Sequence, residues 1–363
     1  MNNIFHGGIL ILKNSSSLFY EGEDEKLMTT ENQRSIPFAY KIAAGLLIFV
    51  GMFIASMVFG AANTTVKDVW LALTSNVKND ATLMLREIRF PREVAAIFVG
   101  AALAVSGAIM QGLTRNPLAD PGLLGLTAGA NAALAIAVAF IPSVNYFGVM
   151  IACFIGATVG TMMVFGIGVI KKGGFSPLRI VLAGSAVSAF LYAVADGVKI
   201  YFKISKNVSM WTSGGLIGTS WSQLQVIVPF IVIGILVSLL LSRQLTILSL
   251  SEEVAVGLGQ KIAHIKTVLF IVIILLAGAS VALVGNIAFI GLMIPHVVRA
   301  MVGTDYRFII PMSAISGATF MLFADTLGRT IHSPYETPVI AIVATIGLPF
   351  FLIIVRKGGK VFS

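Results

Sequence analysis

Residues Glu93 to Ile141 read EVAAIFVGAALAVSGAIMQGLTRNPLADPGLLGLTAGANAALAIAVAFI. Two apolar runs flank a compact polar knot, RNPLADP, which holds an Arg, an Asn, an Asp and two prolines. A bilayer core about 30 Å thick takes about 20 residues of α-helix to cross, and a proline interrupts helical hydrogen bonding. The stretch therefore reads as span, turn, span. Backbone polar groups cannot stay unpaired in lipid, so runs of this length are helices.

Outward from this stretch the pattern recurs. Ten runs qualify as spans: Phe38 to Gly60, Glu93 to Leu113, Gly122 to Ile141, Tyr146 to Ile170, Leu178 to Lys199, Leu224 to Ser242, Lys266 to Val284, Asn286 to Val302, Phe308 to Leu327 and Thr337 to Val355. The eighth is short and interrupted by Pro295. Composition agrees, with 57% hydrophobic and 11% charged residues against roughly 45–50% and about 25% in soluble domains. The fold class is an all-α polytopic membrane bundle of about ten transmembrane helices. Residues 38–357 form the transmembrane domain, preceded by an N-terminal cytoplasmic segment, 1–37. Within that lead, GILIL is too short to span, and SSSLFYEGEDEK is polar and acidic. Residues 1–27 are expected to be disordered or untranslated, with Met28 as the real start, which N-terminal mass spectrometry decides.

The formal charge of +9 does not point to nucleic acid, because the basic residues stand singly between apolar runs and form no stripe with interleaved aromatics. They report topology instead. With the N-terminus inside, the cytoplasmic side collects Lys13, Lys26, Arg34 and Lys41, then Arg115, then Lys171, Lys172 and Arg179. Arg243, Lys261, Lys266, Arg299, Arg307, Arg356, Lys357 and Lys360 complete that side, 16 of the 25 Lys and Arg. Both termini are then cytoplasmic in a multi-pass cell-membrane protein. Lys199, Lys203 and Lys206 run against the bias, which makes the fifth and sixth spans the weakest in orientation.

Small residues punctuate the spans. Gly125 with Gly129, and Gly156 with Gly160, form G-x-x-x-G patterns that let helices approach closely in lipid. GAALAVSGAI (Gly100 to Ile109) and GASVALVGNI (Gly278 to Ile287) match at five of ten positions, in spans that cross in opposite directions. That is the mark of an inverted repeat.

Enzymatic motifs do not occur. The chain has no G-x-x-x-x-G-K-[ST] phosphate loop and no H-E-x-x-H, so it does not grip ATP in that manner. His6, His264, His296 and His332 are too dispersed for a local metal site, and the single Cys153 rules out a cysteine-based one. Both His296 and Cys153 read as packed core residues. Ionisable groups in the spans are few and sit near helix ends: Glu93, Asp196, Asp325, Arg329 and Glu336. Asp325 and Arg329 are four apart, so a helix lets them pair. A row of carboxylates across the bilayer centre, which a proton-driven carrier needs, is missing. One internal segment stands ready to receive energy from elsewhere. Thr246 to Lys266, TILSLSEEVAVGLGQKIAHIK, carries Leu248, Leu250, Val254, Val256 and Leu258 beside Glu252 and Glu253. Its Gly257-Leu258-Gly259 break predicts two short helices, and its apolar face predicts a partner protein.

These motifs together resemble the membrane-spanning permeases of ATP-binding-cassette importers for ferric siderophores, haem and vitamin B12. The resemblance runs from about Phe38 onward. It rests on RFPR (Arg89 to Arg92), GAALAVSGAIMQGLTRNPLADPGLLGL, LSLSEEVAVGLG (Leu248 to Gly259), GNIAFIGLMIPHVVR (Gly285 to Arg299), and ADTLGR with ETPVIAIVATIGLPFF.

It implies a ten-span bundle that dimerises, with itself or a homologue, around a central pathway in the membrane lipid. Two cytoplasmic ATPases would clamp the inner face and use ATP and magnesium, while this chain binds no cofactor and is no enzyme. An extracellular or periplasmic binding protein would deliver the iron–siderophore or related chelate. By the same resemblance Arg89, Arg92 and Arg329 would meet acidic residues of that binding protein. Asn116 and Leu118 of the RNPLADP turn, with Pro177 and Leu178 opposite, would close the cytoplasmic end. Leu250, Ser251, Glu252, Glu253, Leu258 and Gly259 would couple to the ATPase, with Ser251 standing where relatives more usually have Gly. An ion- or proton-coupled secondary carrier, or a non-transport scaffold, are the competing readings. The first needs a midplane carboxylate, and the second leaves the coupling segment without an ATPase.

Overall fold

The computed structural model describes residues 37–60, 64–141, 143–169, 177–213, 215–333 and 335–356. The lead 1–27, and with it the choice between Met1 and Met28, lies outside the described residues. Of the two units of the chain, 1–41 contributes residues 37–41, and 42–363 holds all that follows.

Among the described residues all regular structure is helical. The chain begins with α1 (Phe38–Val58), a short α2 (Val66–Thr74), and α3 (Asp80–Met84), which runs through a π-helical turn (Leu85–Arg89) into α4 (Phe90–Thr114). After a 3₁₀ turn at Pro121–Leu124 come α5 (Leu126–Phe140), α6 (Tyr146–Val169), α7 (Pro177–Tyr201), a short α8 (Ser205–Ser213) and α9 (Trp221–Leu240). Then follow α10 (Ser242–Leu250), α11 (Glu252–Gly257), α12 (Ile262–Val284), α13 (Ile290–Val302), α14 (Tyr306–Thr330) and α15 (Val339–Arg356). Eight of these helical stretches are long and apolar enough to cross a membrane, and α5 and α13 are shorter apolar helices. Together they coincide with the ten expected runs.

Helix α4 is the axis of the bundle. Its buried residues run almost without a break from Pro91 to Leu113, and it packs against α14, α12, α13 and α9. Glycine makes this possible. A Cβ added at Gly107 would lie 1.9 Å from the Gly291 carbonyl oxygen, and one at Gly100 would lie 2.3 Å from that of Gly317. The predicted G-x-x-x-G pairs face each other across α5 and α6: a Cβ on Gly129 would meet Gly156 O at 2.1 Å, and one on Gly160 would meet Gly125 O at 2.6 Å. Such contact of backbones replaces the hydrophobic effect as the force that holds helices in lipid. The echoing stretches at Gly100 and Gly278 lie on α4 and α12, which pack on one another. By contrast α1 and α15 keep most of their surface exposed, including Leu47, Ile48, Leu352 and Ile353.

The π-helical turn has a covalent cause. Pro91 has no N–H for the carbonyl four residues back, and its ring crowds that carbonyl. The backbone widens just before it, so that Phe90 N–H reaches Leu85 O. The short helix α2, outside the expected spans, carries a cap readable in the sequence. Thr65 and Asp68 form a capping box at the start of α2, each side chain bonded to the other's backbone N–H. The coupling segment breaks at Gly257-Leu258-Gly259 as expected, and a second time at Ser251. The extended backbone of Ser251 (φ −158°, ψ 158°) ends α10, and its Oγ accepts from Val254 N–H to begin α11. Gly259, at φ +76°, then lets the chain leave α11 toward α12.

Candidate functional site

At one end of the bundle the π-turn, α4 and α14 each place one buried arginine, Arg89, Arg92 and Arg329. Arg92 grips Asp325 through Nε and a terminal nitrogen (2.8–3.1 Å), and its other nitrogen meets Glu336 at 2.8 Å. Arg329 reaches Asp325 at 3.0 Å, the predicted pairing on one face of α14, and also Glu93 and the Ser56 carbonyl. Arg89 donates to Met57 O and Thr64 Oγ1, both at 2.6 Å. Arg89, Arg92 and Arg329 are all buried, and Glu93 and Asp325 are fully so. A buried guanidinium needs a counter-charge or acceptors to offset its desolvation: Arg92 and Arg329 have carboxylates within the chain, and Arg89 has the Met57 carbonyl and the Thr64 hydroxyl. Glu336 is the partly exposed member.

A cavity of about 410 Å³ lies between α4, α5, α12 and the loop before α13. It adjoins a second of about 210 Å³, and the two share Thr127, Tyr192, Val281 and Asn286. Thr127 Oγ1 faces Asn286 Oδ1 at 3.4 Å, and Cys153 and Asn131 line the smaller cavity. The polar lining at Thr127, Asn131, Tyr192 and Asn286 went unread in the sequence, since single amides and hydroxyls inside apolar runs carry no spacing signal. Phe289, at the mouth of α13, holds a left-handed backbone (φ 71°) and stacks near Phe351.

The RNPLADP turn forms one wall. Leu118 and Asp120 line the larger cavity. Asn116 does not: it is exposed, and its Oδ1 accepts from Leu118 N–H at 2.9 Å, so its side chain shapes the turn. Asp120 Oδ1 accepts from Gly122 N–H at 2.7 Å in a matching turn, and burial pushes its carboxyl above the ordinary range. Arg115, in the left-handed region at φ 50°, closes α4 and bonds its N–H to Gln111 O. Gln111 in turn donates to Gly291 O and Leu292 O and accepts from Arg299, an anchorage the sequence did not announce. Pro177 opens α7. The side chains of Pro177 and Leu178 lie outside the described residues.

The coupling segment sits at the same end of α4 as that turn. Leu250, Val254, Val256 and Leu258 are exposed, at 67, 44, 63 and 64%. Glu253 is exposed, whereas Glu252 pairs with Arg115 at 3.2 Å and Lys266 at 2.6 Å. Below them Thr246 Oγ1 donates to Asp305 Oδ1 at 2.9 Å and accepts from Tyr306 N–H, tying α10 to the start of α14. Arg307 beside Asp305 holds that carboxyl below the usual range. Groups of three or more His, Cys, Asp or Glu placed to hold a metal do not occur among the described residues.

Comparison with known proteins follows the same contour. Residues 46–357 match the family model described as the FecCD transport family. The chain is 38% identical over 356 residues to the iron(3+)-hydroxamate import system permease protein FhuB of Bacillus subtilis (strain 168), covering 96% of this chain and 92% of that one. It is 37% identical over 323 residues to the hemin transport system permease protein HmuU of Yersinia pestis, at 86% and 94% coverage. A solved inward-facing conformation of a metal-chelate type ABC transporter superposes with a TM-score of 0.77 at 26% identity, over 88% of this chain and 99% of the other.

Proposed function

The chain belongs to the FecCD transport family, and from that premise we propose that it moves a ferric chelate into the cytoplasm by alternating access, driven by a separate ATPase. It is the membrane-spanning permease subunit of an ATP-binding-cassette importer and performs no hydrolysis itself. The observation that carries the mechanism is the exposed strip Leu250, Val254, Val256 and Leu258, displayed beside the RNPLADP turn that walls the cavity. An apolar strip with acidic neighbours, at the cytoplasmic rim of the assigned topology, fits a partner that closes on ATP and moves a packed element between two arrangements.

In this reading the larger cavity is part of the pathway, and its volume lies in the range of about 300–1,000 Å³ typical of small-molecule sites. Leu118 bars its cytoplasmic end, with the start of α7 opposite. Tyr192 on α7 and Phe351 on α15 line the cavity, although most residues of both helices are not buried within the chain. That supports a second permease subunit completing the wall, with lipid covering the remainder. At the other end an external binding protein would dock over the arginine network. Acidic side chains of that partner would have to displace Glu336, the partly exposed carboxylate, to take its place on Arg92 behind it. Both termini would be cytoplasmic, and ATP with magnesium would be held by the ATPase alone. The carboxylates cluster among arginines at one helix end, and this favours borrowed energy over a proton relay.

The test is uptake by reconstituted vesicles. With the ATPase, the binding protein and internal ATP present, a ferric hydroxamate chelate accumulates. Uptake that persists with the ATPase left out would end the proposal.

A further inference from the structure

Glu252 and Glu253 are neighbours, yet they face different ways. Glu253 is exposed and makes no ion pair among the described residues. Glu252 turns back into its own chain, where one oxygen, Oε1, accepts from the Arg115 guanidinium at 3.2 Å and from the Lys266 ammonium at 2.6 Å. A single carboxylate oxygen thereby joins the coupling helix α11, the end of the axial helix α4 and the first turns of α12. We infer that Glu252 is a positioning residue, an internal strut that carries displacement of the coupling segment to the RNPLADP turn. This rests on the coupling role proposed above and names how the motion enters the bundle.

Each end of the strut is held. At α11, Ser251 caps the helix and fixes where Glu252 leaves it. At α4, Arg115 is locked by its left-handed backbone and its bond to Gln111, whose amide is fixed to the carbonyls of Gly291 and Leu292. Asn116 to Asp120 follow directly, so a pull on Arg115 acts on the turn whose Leu118 and Asp120 wall the cavity. Stability accounts for one arm of the arrangement only. Lys266, with its side chain 9% exposed, needs Glu252 as counter-ion, whereas the Arg115 and Glu252 side chains are 42 and 44% exposed, and an ion pair so exposed adds little to folding. What the pair does supply is a geometric link between two elements far apart in sequence, and a device that both sites can bias is what coupling requires.

The test follows the turn itself and needs no knowledge of the cargo. In the assembled importer in nanodiscs, Cys153 is replaced by Ala and a reporter is placed by N116C. Its labelling by a water-soluble maleimide is compared without nucleotide and with magnesium, ATP and vanadate. The parent complex should change its labelling rate by at least about fivefold, the lower end of ordinary site-to-site coupling. E252A and E252R should bring that ratio near unity. The full charge inversion R115E/E252R/K266E, which rebuilds the pairing with opposite signs, should recover most of it. Co-purification of the ATPase and the thermal midpoint report whether each variant is folded and assembled. An E252R complex that assembles and keeps the parent ratio overturns the strut. So does an assembled triple variant that recovers nothing, or an E252R variant that loses the ATPase without the triple regaining it, since Glu252 would then belong to the partner-facing surface. A parent chain that holds no ATPase would instead strike the coupling role itself.

Discussion

Asp325 lies fully buried between two guanidiniums, those of Arg92 and Arg329. Removing one charge from such a cluster leaves the others desolvated and short of a counter-ion, a loss of about 3–5 kcal/mol. D325N should therefore lower the unfolding midpoint of the detergent-solubilised protein sharply, and a midpoint equal to wild type would show the cluster to be hydrated. Asp305 makes a subtler case. Its carboxyl is held below the ordinary range, first by the Arg307 hydrogen bond and further by Thr246. A depressed carboxylate contributes stability above its unfolded value and loses it as pH falls through the folded one. The stability gap between wild type and D305N should thus be full near neutrality and close only as pH drops below the usual aspartate range. Melting curves across that range measure it, and a gap that widens toward acid would reverse the sign.

Among elements, the closest contact is that of α4 with α13. Overpacking commonly costs about 1–3 kcal/mol, but a Cβ at Gly107 would strike backbone, with no flexible side chain to give way. G107A should fall at or beyond the top of that range. Gly166 on α6 has nothing within 4 Å of a built Cβ, so G166A should match wild type or gain up to about 1 kcal/mol from helix propensity. Midpoints of the two variants side by side decide the matter, and equal losses would refute the packing. The eight long apolar helices were legible because about twenty apolar residues in a row need no tertiary information to be recognised, and the shorter α5 and α13, 15 and 13 residues, because an apolar run continues beyond the helix on its N-terminal side. Gly125, Gly129, Gly156 and Gly160 were legible by spacing. Gly100 and Gly107 were not, because their partners, Gly317 and Gly291, are remote in sequence. Local chemistry that was present but unread includes the Thr65–Asp68 box and the proline that opens the π-turn. The break at Gly257-Leu258-Gly259 is legible because glycine marks a change of chain direction, whereas the additional break at Ser251 is not, because a lone serine inside a helical run carries no such signal.

For the whole molecule, motif order was enough to identify the permease, since several long stretches recur in one sequence of positions. The burial of Arg89, Arg92 and Arg329 was not, because Arg92 and Arg329 take carboxylates from up to 244 residues away and Arg89 takes acceptors 25 and 32 residues away. A charge near a helix end looks the same on paper whether it faces water or a buried aspartate. Asn116, Leu118 and Glu252 carry functional expectations from the sequence, but the ion pair of neighbouring Arg115 with Glu252 emerges only when α11 is folded against α4. The same distances explain why cavity amides such as Asn131 and Asn286 escaped notice: they matter through what they surround.

The touching backbones of Gly100 with Gly317 and Gly107 with Gly291 carry a consequence for recombination between kin. A hybrid importer that borrows α4 from a relative, but keeps its own α13 and α14, inherits one half of a lock without the matching key. Crossover points should be tolerated in α1 or α15, which hold few such contacts, and rejected inside the α4–α13–α14 trio. That trio would then descend through the lineage as a single heritable block.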